Sequence, residues 1–209
     1  ALAARRLVRE LYSGAAQQRL TELCGSRAVE LVAVHALEAE GVNELPVALA
    51  RELERKLGLR TNDSIVQTNS VGHTGASGFQ RLAHQALFAG DVRPGTRYVV
   101  VDDFVGQGGT LANLIGFLTV HGGHVLGATV LTGKPYSATL AYDELLVNSL
   151  RAKHGHALET WWRDRFGFDF DCLTRSEARY LEKTADADTI RDRLAAAGFE
   201  DGAAGDRDR

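Results

Sequence analysis

Tyr98-Val99-Val100-Val101-Asp102-Asp103-Phe104-Val105-Gly106-Gln107-Gly108-Gly109-Thr110 is the stretch that decides how this chain folds. The apolar, β-branched run of three valines predicts a buried strand. It ends on two adjacent carboxylates, Asp102 and Asp103, and a glycine-rich loop then leads into Thr110. Leu111, Leu114, Ile115 and Leu118 follow at helical spacing, so the pattern is strand, loop, helix.

Each part of the stretch suits a particular chemistry. Carboxylates at the carboxyl end of a parallel strand face the crevice where open α/β sheets bind ligands. Glycines let main-chain N–H groups approach an anion closely, because no Cβ stands in the way. Thr110 stands about where the helix begins, where its hydroxyl and the free N–H groups favour an anion. One end therefore suits a phosphate and the other suits hydroxyl groups or a metal-bound diol; a sugar phosphate fits both. The plain alternative is a structural strand-to-helix turn, but two neighbouring like charges are seldom kept for packing alone. The stretch is not a P-loop, since no Lys follows the glycines. Nor is it a dinucleotide fingerprint, because the acids lie between strand and glycines and Leu111 stands where a third Gly would be.

Four apolar residues, two acids, four variable residues and Gly-Gly-Thr resemble the ribose-phosphate motif of type I phosphoribosyltransferases. The resemblance implies an α/β fold with an open, mostly parallel sheet flanked by helices and a helical C-terminal hood. It implies that Asp102 and Asp103 hold the ribose hydroxyls of phosphoribosyl pyrophosphate, with Mg²⁺ bound through those hydroxyls or water. Gly106, Gln107, Gly108, Gly109 and Thr110 would wrap the 5′-phosphate. The family usually has Thr or Ser where this chain has Gln107, whose amide can still donate to a phosphate oxygen. The acceptor would be a nitrogen nucleophile of unknown identity, and homodimers are frequent in the family.

Around that stretch the chain reads as a core over 1–135, a helical hood over 136–200 and a disordered tail over 201–209. A 44% hydrophobic and 24% charged composition is ordinary for a globular protein. A net charge of −3 argues against a nucleic-acid surface, and no apolar run approaches membrane-spanning length. Nothing reads as a signal peptide. Cys24 and Cys172 leave a lone disulfide open, with a reducing, cytoplasmic setting as the expectation. Beginning at Ala1 and lacking Met, the sequence is expected to be trimmed or a piece of a longer protein.

Residues 1–23 predict a helix that breaks near Ser13-Gly14, with Arg5, Arg6 and Arg9 on a solvated face. Val29 to Val34 predicts a strand and His35 to Asn43 a loop. A helix then carries Pro46 in its first turn and Leu49, Leu53 and Leu57 on one side, and Gly58 closes it. In the resembled family the loop after this strand takes the pyrophosphate, usually with Arg or Lys. Here His35-Ala36-Leu37-Glu38-Ala39-Glu40-Gly41 offers two acids and no permanent positive charge, so Mg²⁺ would have to lie between. His35 is either a substitute donor or a structural strand-end residue. The run from Gly41-Val42-Asn43 to Leu49-Ala50 resembles the Gly-x-Asn…Leu-Ala pattern of the competence-associated, amidophosphoribosyltransferase-like branch.

A short strand at 65–68 precedes a loop with Gly72, Gly75 and Gly78, and a helix is expected over 79–88. In the family a loop at this place closes over the substrate and excludes water. Arg81 and His84 read equally as groups reaching the pyrophosphate and as surface residues. Pro94-Gly95 marks a turn. His121-Gly122-Gly123-His124 ends the motif helix, its histidines in helix-terminal rather than metal-binding roles. Val125 to Thr132 is the next strand. Lys134 at its end reads equally as a contact for phosphate or base and as a solvated strand end. In the hood, Thr174-x-x-Glu177 is a capping box, Asp188 caps a last helix and Gly198 stops it. Trp161 and Trp162 cannot both face one pocket from a helix, so at least one packs in a core.

Overall fold

The computed structural model describes residues 2–35, 37–38, 41–69, 71, 76–134 and 140–204. The chain divides into two compact units: Ala1–Gly72, Ala86–Gly106 and Thr110–Lys134 form the first, and His73–Gln85, Gln107–Gly109 and Pro135–Arg209 the second.

The first unit is the expected α/β sheet. Strands β1 (Val29–Ala33), β4 (Arg60–Thr61), β7 (Arg97–Val105) and β8 (His124–Gly133) form a four-stranded parallel sheet in the order β4-β1-β7-β8. The antiparallel pairs β2 (Leu37–Glu38) with β3 (Gly41–Val42), and β5 (Val66–Gln67) with β6 (Phe88–Ala89), stand apart from it. The β2/β3 pair replaces part of the loop expected over 35–43. The β5/β6 pair takes Phe88 out of the helix expected over 79–88, and that helix, α4, covers only Gly78–Ala83. Thr68 N–H donates to Leu87 O, continuing the pairing that pulls this end of the segment straight.

One face of the sheet buries Val29, Leu31, Ala33, Val99 and Val101 in a core with residues of three helices: α1 (Leu2–Leu11), α2 (Gly14–Cys24) and α3 (Glu44–Leu57). The alternate residues Val32, Tyr98 and Val100 are fully buried on the opposite side, as a strand's two-residue period requires. The break between α1 and α2 falls where Ser13 serves as N-cap, accepting from Ala16 N–H at 3.1 Å. Asn43 caps α3 and Gly58 ends it in the left-handed conformation. Helix α5 (Gly109–Val120) buries Leu111, Leu114 and Leu118 and leaves Ile115 half-buried. Among the described residues both cysteines are free thiols, Cys24 buried and Cys172 exposed, and no helix is long and apolar enough to cross a membrane.

The second unit is helical. Helices α6 (Glu144–His154), α7 (His156–Phe166), α8 (Arg175–Glu182) and α9 (Ala187–Ala204) join α4 around a core that includes Phe79, Leu82, Leu150, Trp162, Phe170 and Leu194. Trp162 is fully buried in the core among Phe166, Phe168 and Phe170, and half-buried Trp161 packs against the same core. Two expectations for α9 are corrected. Its cap is Asp186, whose carboxylate accepts from Thr189 N–H at 2.7 Å, while Asp188 lies inside the first turn. Gly198 does not stop the helix, which runs through 201–204 to Ala204; a helical glycine costs only about 1 kcal/mol relative to alanine. The remainder of the expected tail, 205–209, lies outside the described residues, as do Gly72 and Gly75.

Packing of α1 on α3 is fastened by Glu52, which is buried while Arg55 (2.6 Å), Arg9 (3.3 Å) and Lys56 (3.7 Å) surround its carboxylate. Hydrogen bonding from Arg55, then from Arg9, overcomes the opposing effect of burial and pulls its pKa down to about 2. A lowered carboxylate pKa gives stability that is present above the unfolded value and lost as pH falls through the folded one. Glu52→Gln is therefore expected to cost about 1 kcal/mol near neutrality, since the exposed arginines are screened by solvent. The cost should fade as pH falls from about 4.5 toward 2, read as converging urea-unfolding midpoints of the two proteins.

Candidate functional site

The site begins where β7 outruns β1. Ladder pairing between them ends at Ala33 opposite Val101, and Val34 N–H then donates to Val101 O at 2.8 Å. On its other side β7 stays paired with β8, with Asp102 opposite Val130, Phe104 opposite Thr132 and Val105 opposite Gly133. The strand thus continues through the two acids to Val105 and does not end on them, because β8 is long enough to hold it. Both carboxylates lie at the carboxyl edge of the parallel sheet, past the last ladder pair of β1.

Asp102 is buried and its Oδ1 accepts from the Asp103 backbone N–H at 2.9 Å. Asp103 is half-buried, and its Oδ2 accepts from Asn43 Nδ2 at 3.0 Å. The same Asn43 side chain accepts from Leu45 N–H at 3.1 Å, capping α3. One amide therefore ties the helix after the first loop to the second carboxylate. Sequence reading noted Asn43 only as part of a pattern; its two-sided role follows from the parallel register and has no local signal. Lys134 and His35 belong to the same sheet edge. Exposed Lys134 follows β8 and donates its backbone N–H to Val105 O at 3.1 Å, while half-buried His35 follows β1 and its carbonyl accepts from Gln67 N–H at 3.2 Å.

The loop from Gly106 to Gly109 joins β7 to α5, and Thr110 is the second residue of that helix. Gly108 has φ +90°, a left-handed conformation that favours glycine, and a Cβ there would also displace the tip of the Leu140 side chain. Gly109 opens α5, and a Cβ on it would lie 2.5 Å from Glu177 Oε1. Gln107 O accepts from Thr174 Oγ1 at 2.7 Å, while the Gln107 Oε1 atom is buried without a hydrogen-bond partner. The expected capping box is present: Thr174 Oγ1 accepts from Glu177 N–H, and Glu177 Oε2 accepts from Thr174 N–H at 2.9 Å. The sequence showed the box but gave no sign that its glutamate rests on the glycine loop.

Arg81 and His84 lie in the second unit, on α4 and at its C-cap. Arg81 Nε donates to Ala76 O at 3.2 Å, and His84 Nε2 lies 3.0 Å from Ala197 O on α9. Trp161, half-buried, has the guanidinium groups of Arg165 and Arg191 over its ring at 5.7 and 6.0 Å. His121 Nδ1 lies 2.8 Å from Phe117 O, the helix-terminal role expected of it. Among the described residues, no group of three or more His, Cys, Asp or Glu is arranged to hold a metal ion. Two adjacent carboxylates suit Mg²⁺ that keeps most of its ligands as water and substrate oxygens.

No family model matches the chain. It is 40% identical to Protein TraN of Escherichia coli over 195 residues, 93% of this chain and 44% of TraN. It is 39% identical to an uncharacterized protein of Haemophilus influenzae over 112 residues, 54% of this chain and 25% of that protein. The chain thus spans less than half the length of these curated relatives. Similar solved structures include an adenine phosphoribosyltransferase (TM-score 0.42, 14% identity, 64% of this chain and 71% of that one). A second, from Rhodothermus marinus, has TM-score 0.38, 17% identity and coverage of 57% and 65%. Leishmania donovani UMP synthase has TM-score 0.38, 14% identity and coverage of 92% and 33%.

Burial pushes the Glu177 carboxyl up to about 7, against the opposing pull of its bonds from Thr174. A raised carboxyl pKa means stability that is complete below the unfolded value near 4.5 and lost as pH rises through the folded one. Glu177→Gln keeps an oxygen for Thr174 N–H and cannot ionise. The variant is expected to match the parent below about pH 4 and to exceed it at pH 8 by up to roughly 3 kcal/mol, measured by chemical denaturation.

Proposed function

We propose that this chain binds 5-phosphoribosyl pyrophosphate and, with Mg²⁺, transfers its 5-phosphoribosyl group to a nitrogen acceptor. The observation that supports this reading most is the succession along one segment. Two carboxylates at the carboxyl edge of a parallel sheet are followed within a few residues by a glycine loop opening a helix. Asp102 and Asp103 accept hydrogen bonds from the ribose hydroxyls. The backbone N–H groups of Gly106–Thr110, the Thr110 hydroxyl and the Gln107 amide hold the 5′-phosphate, with help from the α5 dipole.

The bond from ribose C1 to the pyrophosphate oxygen breaks as a bond from C1 to the acceptor nitrogen forms, and a proton on that nitrogen passes to solvent. Charge building on the leaving pyrophosphate needs donors, and Arg81, His84, His35 and Lys134 are the candidates. Mg²⁺, when bound, offsets pyrophosphate charge, and Asp102 and Asp103 reach it through ribose hydroxyls or water. Positioning donor and acceptor in line supplies most of the acceleration, with no covalent enzyme intermediate. The setting we infer is cytoplasmic, with the chain as a homodimer. A second reading, a module that binds phosphoribosyl pyrophosphate or a nucleotide 5′-phosphate without turnover, is favoured by the acidic sequence at 35–41, which has neither Arg nor Lys.

Asp102→Asn combined with Asp103→Asn is expected to abolish calorimetric binding of phosphoribosyl pyrophosphate; normal binding by the double variant would mean the site lies elsewhere. Thr110→Ala should weaken binding about tenfold, the value of one charge-assisted hydrogen bond. Pyrophosphate release, followed with Mg²⁺ and a panel of bases and amines, separates the two readings: binding without release on every acceptor selects the module.

A further inference from the structure

Among the described residues, Glu177 is the acidic group that the ribose-phosphate reading leaves unused and the structure puts against the cradle. The contact is close: Oε1 lies where any side chain on Gly109 would have to go. The residue is 6% exposed, so water does little to shield its charge. Its other oxygen is committed to Thr174 N–H, and Thr174 in turn is tied to the loop through Gln107 O. This chain of contacts holds the carboxyl group in place at the first residue of α5. A phosphoryl group wrapped by the same loop would meet it there.

We propose that the Glu177 carboxyl and the 5′-phosphate exclude each other as anions, so that wherever Glu177 is ionised the cradle takes up a proton on it as it takes up a phosphate. This deepens the proposed function and rests on it. When phosphate arrives, protonation turns Glu177 from a repelling charge into a neutral neighbour, with its Thr174 contact retained. The group is already poised near neutrality by burial, so the exchange requires little change in pH.

Charged groups on the surrounding elements do not offset Glu177. On α6, Arg151 is bound to Glu159 and Asp171, Lys153 to Glu182 O, and His154 Nε2 faces Leu181 O, all toward the end of α8, while Asp143 and Glu144 at the start of α6 lie toward the start of α8. On α4, Arg81 Nε bonds Ala76 O, and His84 at its C-cap faces Ala197 O. On α8 itself, Arg175 pairs with Asp143 at 3.0 Å, and Arg179, Tyr180 and Glu182 complete the titratable set. Among the described residues, burial raises the Glu177 carboxyl and the Thr174 bonds oppose it.

The test is calorimetric titration of the full chain and of Glu177→Gln with ribose 5-phosphate, from pH 6 to 9, in two buffers of different ionisation enthalpy. Ionisation of the ligand's own phosphate is common to both proteins and cancels in their difference. The parent should take up close to one proton more than the variant at pH 8. Its affinity should fall about tenfold per pH unit above pH 7 relative to that of Glu177→Gln. Binding by both proteins with the same pH slope and the same proton uptake would overturn this inference and leave the ribose-phosphate site standing. Failure of both proteins to bind at every pH would overturn the proposed function and this inference with it.

Discussion

Unequal strand length is the constraint on which the candidate site depends. β7 is paired on both sides as far as Val101 and on one side only from there to Val105. That difference delivers Asp102 and Asp103 to the sheet edge on a backbone still held straight by β8. Were β7 to stop where its valines stop, the acids would sit on a loop and their orientation would be left to that loop. Asn43 adds a second restraint, because one side chain both caps α3 and donates to Asp103. The carboxylate pair is thus fixed by a ladder on one flank and a helix cap on the other.

The glycine segment follows a different physical logic. Gly108 takes a left-handed backbone that favours glycine, and a side chain on Gly109 would have to displace the Glu177 carboxyl, quite apart from any ligand. A tight loop of this kind presents its main-chain donors in a nearly fixed arrangement, which favours an anion without the cost of ordering flexible side chains. Its closeness to a buried carboxyl sets a price on that same anion. The acidic sequence at 35–41 adds to the negative charge that follows the first strand in the chain. Both features make counter-charge, from protons or from Mg²⁺, part of any account of how a polyphosphate could be held.

Much of this fold was legible because its signals are local. Val99–Val101 with the leucines after Thr110 specified strand and helix through periodicity, Pro46 and Gly58 bracketed α3, and Thr174-x-x-Glu177 marked the start of α8. What escaped the sequence depended on distant partners. Nothing near Asp102 says that β8 is long enough to extend the strand past it. Phe88 reads as helical until Thr68 and its neighbours supply a strand to pair with. Gly198 reads as a stop, yet its cost is small enough for the rest of α9 to carry it. The candidate site divides in the same way. The acid pair and the glycine cradle were visible as a contiguous motif, whereas Asn43 and Glu177 reach it from 60 and 68 residues away in the sequence.

The most direct measurement is a crystal structure of this chain with ribose 5-phosphate and Mg²⁺ diffused in. The account predicts sugar hydroxyls on the carboxylates of Asp102 and Asp103 and phosphate oxygens on the N–H groups between Gly106 and Thr110. A pentose bound with its phosphate away from that loop, or a loop packed shut against Leu140 and Glu177 while the sugar occupies another part of the molecule, would contradict it.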